Sequence, residues 1–385
     1  MDGYRETREV HAGLEDHPYG GVNQPIDTST TFAYDRPSDL GGAYRYGRMA
    51  SPSRAELEAV VADLEAAEAA YAFASGMAAI DAVLSLLEPG DEVVAERNLY
   101  AETHDLLEDV YPRYGIEVTR VDSRDVGNLA AVAGPDTAMV YLESPTNPRL
   151  HVADIAAAAD VAEDRDATLA VDNTFASPAL QRPLELGADV VVESLTKYVG
   201  GHSDVIAGAV ATTDADLAER LSRVQYTRGA IPGPLACYLA TRGSRTLSRR
   251  IRAQCENARA VATHLDEADG VARVHYPGLP DHPNHGVAAE QMADFGAMVS
   301  LELAGGVAAA EAFATELSVF TLAESLGGVE SLVEVPSLMT HRDVPASARR
   351  EAGIADGLVR LSLGIEAEAD LLADLEAAVA AARAA

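Results

Sequence analysis

Apolar residues recur at helical spacing at Leu57, Val60, Val61 and Leu64, which predicts a first long helix after Pro52. Ser53 and Glu56 stand in an S-x-x-E relation and predict a capping box at its start. Beyond it, short apolar runs alternate with helical ones. The runs that read as strands are Ala70 to Ala74, Glu92 to Ala95, Glu117 to Val121, Ala138 to Leu142, Thr168 to Val171, Ala188 to Val192 and Ala207 to Ala211. The first leads into a helix from Gly76 that Pro89-Gly90 ends. Strands that are apolar throughout and separated by helices are buried on both faces, so the pattern predicts a mostly parallel sheet in an α/β domain.

Residues 1–52 carry Gly, Pro and Tyr with little periodicity and read as an N-terminal arm lying over other surfaces. The α/β unit then spans 53–243. From about Ser244 an Arg-rich helical stretch opens an α+β unit, 244–385, with strands near Ala297 to Leu303 and Leu358 to Leu363 and a closing amphipathic helix through Leu371, Leu372, Leu375 and Val379. The join between the two units is the expected cleft. No internal repeat is visible, and Ala156 to Ala159 reads as helix former rather than linker.

Composition narrows the partners. At 385 residues the chain exceeds the size at which one core keeps growing. The 29 basic and 61 acidic side chains leave a net charge of −32, which repels phosphate backbones and anionic headgroups. Small molecules are therefore expected as partners, with no nucleic acid and no membrane. Cys237 and Cys255 cannot build a disulfide framework and read as buried thiols of a reducing compartment. Met1 to Val10 carries five charges, and the longest uncharged stretch, Gly229 to Thr241, falls short of the roughly 20 apolar residues of a span. A cytoplasmic protein is expected.

One Lys, Lys197, stands among the 29 basic residues, the other 28 being Arg. Arg can replace Lys for solubility or surface ion pairing, but a guanidinium stays protonated and cannot serve as an amine nucleophile. Lys197 follows the apolar run Val190 to Val192 through Glu193-Ser194-Leu195-Thr196, so it lies just past the end of a buried strand, where ligands bind in open α/β sheets. A desolvated lysine has a lowered pKa and supplies the neutral amine that condenses with a carbonyl. Ser194 and Thr196 offer hydroxyls to a phosphate beside it.

Asp172 ends another apolar run, 25 residues before the lysine. An ionised carboxylate at that depth needs a positive partner, for which a protonated pyridine nitrogen would serve, whereas a turn or N-cap role needs none. Ser75-Gly76-Met77 opens a helix after a strand and frees backbone N–H groups for a phosphate. A Walker A loop is excluded, because Lys197 lies between Thr196 and Tyr198. His282 and His285 form an H-x-x-H pair in a Pro/Asn loop with no accompanying carboxylate, so no metal is expected.

Taken together, the motifs resemble the trans-sulfuration (Cys/Met metabolism) family of pyridoxal-phosphate enzymes, the group of cystathionine γ-synthase, γ-lyase and β-lyase. They run from Tyr44-Arg45-Tyr46-Gly47-Arg48 through Ser75-Gly76-Met77, Glu143-Ser-Pro-Thr-Asn-Pro148, Asp172-Asn-Thr-Phe175, Ser194-Leu-Thr-Lys-Tyr198 and Gly200-Gly-His-Ser-Asp204 to Arg242-Gly243, Ser325-Leu-Gly-Gly-Val-Glu-Ser-Leu332, Met339-Thr-His341 and Val359-Arg-Leu-Ser-Leu-Gly-Ile-Glu366. The resemblance implies fold type I (aspartate-aminotransferase-like), with pyridoxal 5'-phosphate as cofactor. It also implies a homotetramer built as a dimer of dimers. By the same resemblance Lys197 carries the cofactor and shuttles protons, and Asp172 pairs with the ring nitrogen. Gly76, Met77, Thr174, Ser194 and Thr196 belong to the cofactor site, which Tyr46 and Arg48 complete from the neighbouring subunit. Tyr100 stacks on the ring and assists acid/base steps. Arg360, with Asn147 and Ser325, holds the substrate α-carboxylate; Glu324 lies on the substrate side.

Thr321-Leu-Ala-Glu324-Ser325 resembles the γ-synthase and γ-lyase version of its segment, so γ-replacement or γ-elimination that makes or cleaves cystathionine is expected. Methionine γ-lyase or O-acyl-homoserine sulfhydrylase activity is the alternative on the same cofactor, and an acidic scaffold on the same fold is the non-enzymatic one. The chain departs from the family pattern after Tyr100. Where Tyr-Gly-Gly-Thr and then a basic residue two places later are usual, it reads Tyr100-Ala101-Glu102-Thr103-His104-Asp105, which removes a grip on a distal carboxylate; either another cation such as Arg113 replaces it or the preferred substrate is smaller. Ser51 and Ser53 stand where Asn and Thr are usual. The acidic excess with near-total loss of Lys implies adaptation to high salt.

Overall fold

The computed structural model describes residues 4–13, 20–38, 42–342, 346–351 and 353–385; parts of the predicted N-terminal arm lie outside them. The first sheet contains β1 (Ala69–Phe73), β2 (Glu92–Glu96), β3 (Glu117–Val121), β4 (Thr137–Glu143), β5 (Thr168–Asp172), β6 (Val190–Glu193) and β7 (Gly208–Thr212). Its order is β1-β7-β6-β5-β4-β2-β3. The pairs β2–β3, β2–β4, β4–β5 and β5–β6 are parallel, and β7 runs antiparallel to both its neighbours. The expected mostly parallel sheet is therefore present, with each of the seven predicted strands within two residues of its predicted start.

Alternation within the strands divides the core into two faces. Val140, Leu142, Leu169 and Val171 face one set of helices, while Met139, Tyr141, Ala170, Val190 and Val192 face the other. All nine are sealed from solvent, which is why these strands read as continuous apolar runs. The order places the C-terminal ends of β4, β5 and β6 side by side, with Glu143 opposite Asp172 and Asp172 opposite Val192. Residues just past those ends share one edge of the sheet.

Of the helices, α1 (Arg5–His11), α2 (Pro52–Glu65), α3 (Gly76–Leu84) and α4 (Ala101–Asp105) bear on the site. The predicted capping box does not form. α2 begins at Pro52, whose fixed φ suits the first helical position, so Ser51 rather than Ser53 is the extended N-cap residue. Ser53 is inside the first turn, where its hydroxyl accepts from the Asp27 N–H, and Glu56 pairs with Arg245 at 3.4 Å. Buried Arg54 donates to the carbonyls of Gly47, Arg48 and Met49, fastening the arm to α2.

A second sheet has β8 (Val271–His275), β9 (Met298–Leu303), β10 (Thr321–Leu322), β11 (Leu332–Glu334) and β12 (Leu358–Ser362), in the order β10-β11-β12-β9-β8. Helices Leu247–Asp266, Gly306–Glu316 and Glu368–Ala384 contribute buried residues to its core. β9 and β12 were legible as apolar runs. β8 was not, because an irregularity between Val271 and Arg273 breaks its alternation. Among the described residues no helix is long and apolar enough to cross a membrane.

Candidate active site

The strand ends of the first sheet and Arg360 on β12, the central strand of the second, line a cavity of about 780 Å³. Lys197, Asp172, Tyr100, Gly76, Met77, Thr174, Ser194, Thr196, Asn147, Glu324, Ser325 and Arg360 all line it. Tyr46 and Arg48 do not. They lie instead on the surface, where Arg48 donates to the Tyr226 carbonyl at 2.6 Å and stacks over the Tyr226 ring at 4.6 Å.

The turn into α3 makes one wall. Ser75 is extended and its hydroxyl accepts from the Ala78 N–H at 3.1 Å, so the helix starts with the Gly76 and Met77 N–H groups beyond the reach of intrahelical acceptors. A Cβ on Gly76 would stand 3.0 Å from the Ser194 Cβ and 3.1 Å from its hydroxyl. The glycine thus lets the helix N-terminus and the residue after β6 approach as two sides of one cradle. Thr174 braces the other side: its hydroxyl accepts from the Ser194 N–H at 2.9 Å, and its own N–H donates to Asp172 Oδ1 at 3.0 Å. Thr196 uses its hydroxyl to join the strand end to Ala207, donating at 3.2 Å and accepting at 3.1 Å.

Asp172 is buried with Thr174 as its hydrogen-bonding partner, and among the described residues no cationic side chain offsets the burial that pushes its carboxyl up. A cationic ring nitrogen would supply that charge, and the cradle would take a phosphate. The donor set therefore fits pyridoxal phosphate.

Lys197 Nζ donates to Ser325 Oγ at 2.9 Å. Desolvation, then the nearby Arg360 cation, lower the ammonium from its ordinary value to about 8, while Glu334, Glu102 and Glu324 pull the other way. Arg360, in the middle of β12, is 4% exposed; Nη1 donates to Asn147 Oδ1 and Nη2 to the Ser325 carbonyl, both at 2.9 Å, and Glu334 Oε2 lies 3.0 Å from Nη2. Glu334 escaped the sequence reading, since only the pairing of β11 with β12 sets it opposite Arg360. Asn147 is held from behind, since Glu143 accepts from its N–H at 2.9 Å and from the Tyr100 N–H at 2.7 Å. Burial, followed by Glu102, raises the Tyr100 phenol above its ordinary value.

Glu102 lines the cavity, whereas Asp105 is exposed beside His104. Arg113 sits exposed on the turn Tyr111–Tyr114 and is not part of the wall; the lining arginine that the sequence reading missed is Arg342, in the segment after Met339-Thr-His341. His285 stacks on Phe295, His282 is buried beside His151, and among the described residues no group of three or more potential ligands converges on a metal position. Both cysteines are free and buried.

A family model described as "Cys/Met metabolism PLP-dependent enzyme" matches residues 6–380. A cystathionine gamma-synthase of Mycobacterium tuberculosis is 49% identical over 97% of this chain and 96% of its own length. A cystathionine beta-lyase of Coxiella burnetii is 45% identical over 97% of each. The solved structure of a cystathionine gamma synthase from Xanthomonas oryzae pv. oryzae, in complex with aminoacrylate and cysteine, superposes with a TM-score of 0.96 at 42% identity, covering 100% of both chains. The family match over residues 6–380 and these relatives place the chain in the Cys/Met metabolism family of pyridoxal-phosphate-dependent enzymes, with the fold of that family.

Proposed function

We propose that the protein catalyses γ-replacement or γ-elimination on amino acids, making cystathionine from an O-acyl-homoserine and cysteine or cleaving it. The observation that carries this reading is the approach of Glu324-Ser325 to Lys197, with Ser325 Oγ on the amine and its carbonyl on Arg360. The identity to a cystathionine gamma-synthase over nearly the whole of both chains supports it.

Bound in the cradle, pyridoxal phosphate supplies an electron sink for a carbanion at the substrate's Cα. Gly76, Met77, Ser194 and Thr196 would hold its phosphate, Asp172 would pair with its ring nitrogen, and Tyr100 would pack against the ring. Arg360 grips the α-carboxylate, and Asn147 and Glu334 fix the guanidinium. γ-Chemistry needs proton removal at Cα and then at Cβ, so one base must reach both carbons. Lys197 is that base: its ammonium is lowered to about 8, so far more of the amine is neutral near neutral pH than for an ordinary lysine, and it is held by a hydroxyl that can follow its rotation. Glu102 and Glu324 set negative charge toward the substrate's distal end, suited to an ammonium group, and Arg342 offers the cation for a distal carboxylate that Asp105 cannot.

The same reading makes 53–243 the cofactor-binding unit and 244–385 the unit that adds the carboxylate grip. It assigns Tyr46 and Arg48, both away from their own chain's cavity, to the neighbour's site in a homotetramer, and places the protein in a salt-rich cytoplasm.

The test is product analysis. The purified enzyme with O-succinyl- or O-acetylhomoserine and cysteine should form cystathionine, and cystathionine alone should release an α-keto acid. Release of pyruvate from cystathionine with no reaction of either ester would instead identify a β-lyase. Lys197→Ala should abolish the borohydride-trapped cofactor adduct.

A further inference from the structure

Behind the cavity wall lie two carboxyl groups for which the reaction has no use. Glu65 closes α2 and is 0% exposed; Glu193 closes β6, one residue before Ser194, and is 2% exposed. The two side chains are within hydrogen-bonding reach of each other. Asn173, the residue after Asp172, stands beside them. Its Nδ2 donates to Glu65 Oε1 at 3.4 Å and to the Gln181 carbonyl at 3.0 Å, and Gln181 Nε2 returns a bond to Asn173 Oδ1 at 3.0 Å. That network leaves over Glu65 Oε2 and Glu193 Oε1, each buried and each without a donor.

Two ionised carboxylates cannot stay in contact in a site closed to water, because both desolvation and mutual repulsion act against the second charge. One proton between them turns the repulsion into a short O–H···O bond and satisfies both leftover oxygens. We propose that Glu65 and Glu193 share a single proton and, in that state, act as a positioning pair that fastens the ends of β5 and β6, and with them Asp172 and Ser194, to the end of α2. The inference goes beyond the proposed reaction, since it holds whichever bond the enzyme makes or breaks.

The charged surroundings agree. Burial raises both carboxyls; Arg5 of α1 and Arg182 pull Glu65 the other way, while Asp172 pushes Glu193 further up. With one proton the pair carries one negative charge, facing those two arginines. Without it the second charge lies beside Asp172, and the strand ends that form the cofactor wall are driven apart. The proton is bound more tightly in the folded protein than in the unfolded chain. The pair's contribution to stability is therefore complete at acid pH and is lost as pH rises above the ordinary carboxyl range, by up to about tenfold in the folded-to-unfolded ratio per pH unit for one proton.

Glu193→Gln and Glu65→Gln keep the shape, replace the shared proton with a fixed N–H donor, and cannot titrate at that position. The cofactor-loaded wild type and both variants are to be melted from pH 5 to pH 9 at constant ionic strength, with release of the cofactor followed by absorbance. The wild type should lose stability and cofactor affinity as pH rises; Glu193→Gln should flatten both curves and exceed the wild type at pH 9. Infrared spectra of the wild type should contain a protonated-carboxyl band that Glu193→Gln removes. PH curves of the variants parallel to those of the wild type, or a wild-type spectrum without that band at pH 6, would overturn the proposal. Should one variant fail to fold, the other and the infrared band decide. If γ-activity is absent while these shifts occur, the reaction reading fails and the pair stands.

Discussion

Ser325 binds Lys197 and Arg360 at once: its hydroxyl accepts from Lys197 Nζ and its carbonyl from Arg360 Nη2, each at 2.9 Å, with the backbone at φ +98°. A non-glycine residue in that region costs free energy that the surrounding structure must supply. The strained turn brings to one point the amine proposed to move protons and the guanidinium proposed to bind the carboxylate.

Ser325→Ala should retain the turn and lose only the hydroxyl. A hydrogen bond to a charged group contributes about 1.5 kcal/mol, so kcat should fall roughly tenfold while cofactor absorbance is unchanged. Steady-state kinetics with a parallel spectrum check this; equal losses of cofactor and rate would mean that the hydroxyl serves folding instead.

Arg360→Lys should cost more. A lysine keeps the charge but not the fork that meets Asn147 and the Ser325 carbonyl, and it leaves Glu334 without its guanidinium in a dry site. Loss of one or two charged hydrogen bonds predicts a fall in kcat/KM of roughly ten- to hundredfold, carried mainly by KM. An unchanged KM would remove Arg360 from the carboxylate grip.

How much of this could be read along the chain follows from what each side chain obeys. Strands β2, β4, β5, β6 and β7 of the first sheet were legible because both their faces are buried, and Lys197 and Asp172 because one follows and the other ends such a strand. Arg360 stood out as a charge inside an apolar run. Glu334, Arg342 and the Glu65–Glu193 contact were not legible, since each depends on which distant segments meet, and three-residue β11 carries too few positions to show a period. The capping box failed for a local reason, Pro52 outcompeting Ser53 for the helix start.

The lowered Lys197 pKa sets a pH dependence with a definite sign. Below about 8 the amine is mostly protonated, so capture of added cofactor by stripped protein should speed up by up to tenfold per pH unit and level off above that value. The unfolded chain binds the proton more tightly than the folded one between about 8 and the ordinary lysine value, so the stripped protein should also gain stability with pH across that window. Stopped-flow absorbance and melting curves measure the two; a capture rate still climbing through pH 10 would place the lysine in an ordinary solvated environment.

Arg342→Gln separates substrates by their distal ends. If Arg342 receives a distal carboxylate, KM for O-succinylhomoserine should rise about tenfold or more, with little change for O-acetylhomoserine, which has no such group. Equal effects on both esters would assign Arg342 to the wall alone. Glu102→Gly, which restores the usual glycine, should lower the pKa of Tyr100, because Glu102 is second only to burial in raising it.

The charge of −32 predicts a salt requirement. Screening lengths are about 3 Å at 1 M and about 10 Å at 0.1 M, so carboxylates that ignore one another in concentrated salt repel in dilute buffer. Surface ion pairs cannot offset this, since 29 basic groups face 61 acidic ones. Melting temperature should therefore fall on dialysis from about 2 M to about 0.1 M potassium chloride, and activity should fall with it. Recovery with a small amount of magnesium in place of potassium would show that the deficit is electrostatic, whereas a melting temperature that is unchanged or higher in dilute buffer would show that the folded chain tolerates its own charge and needs no salt.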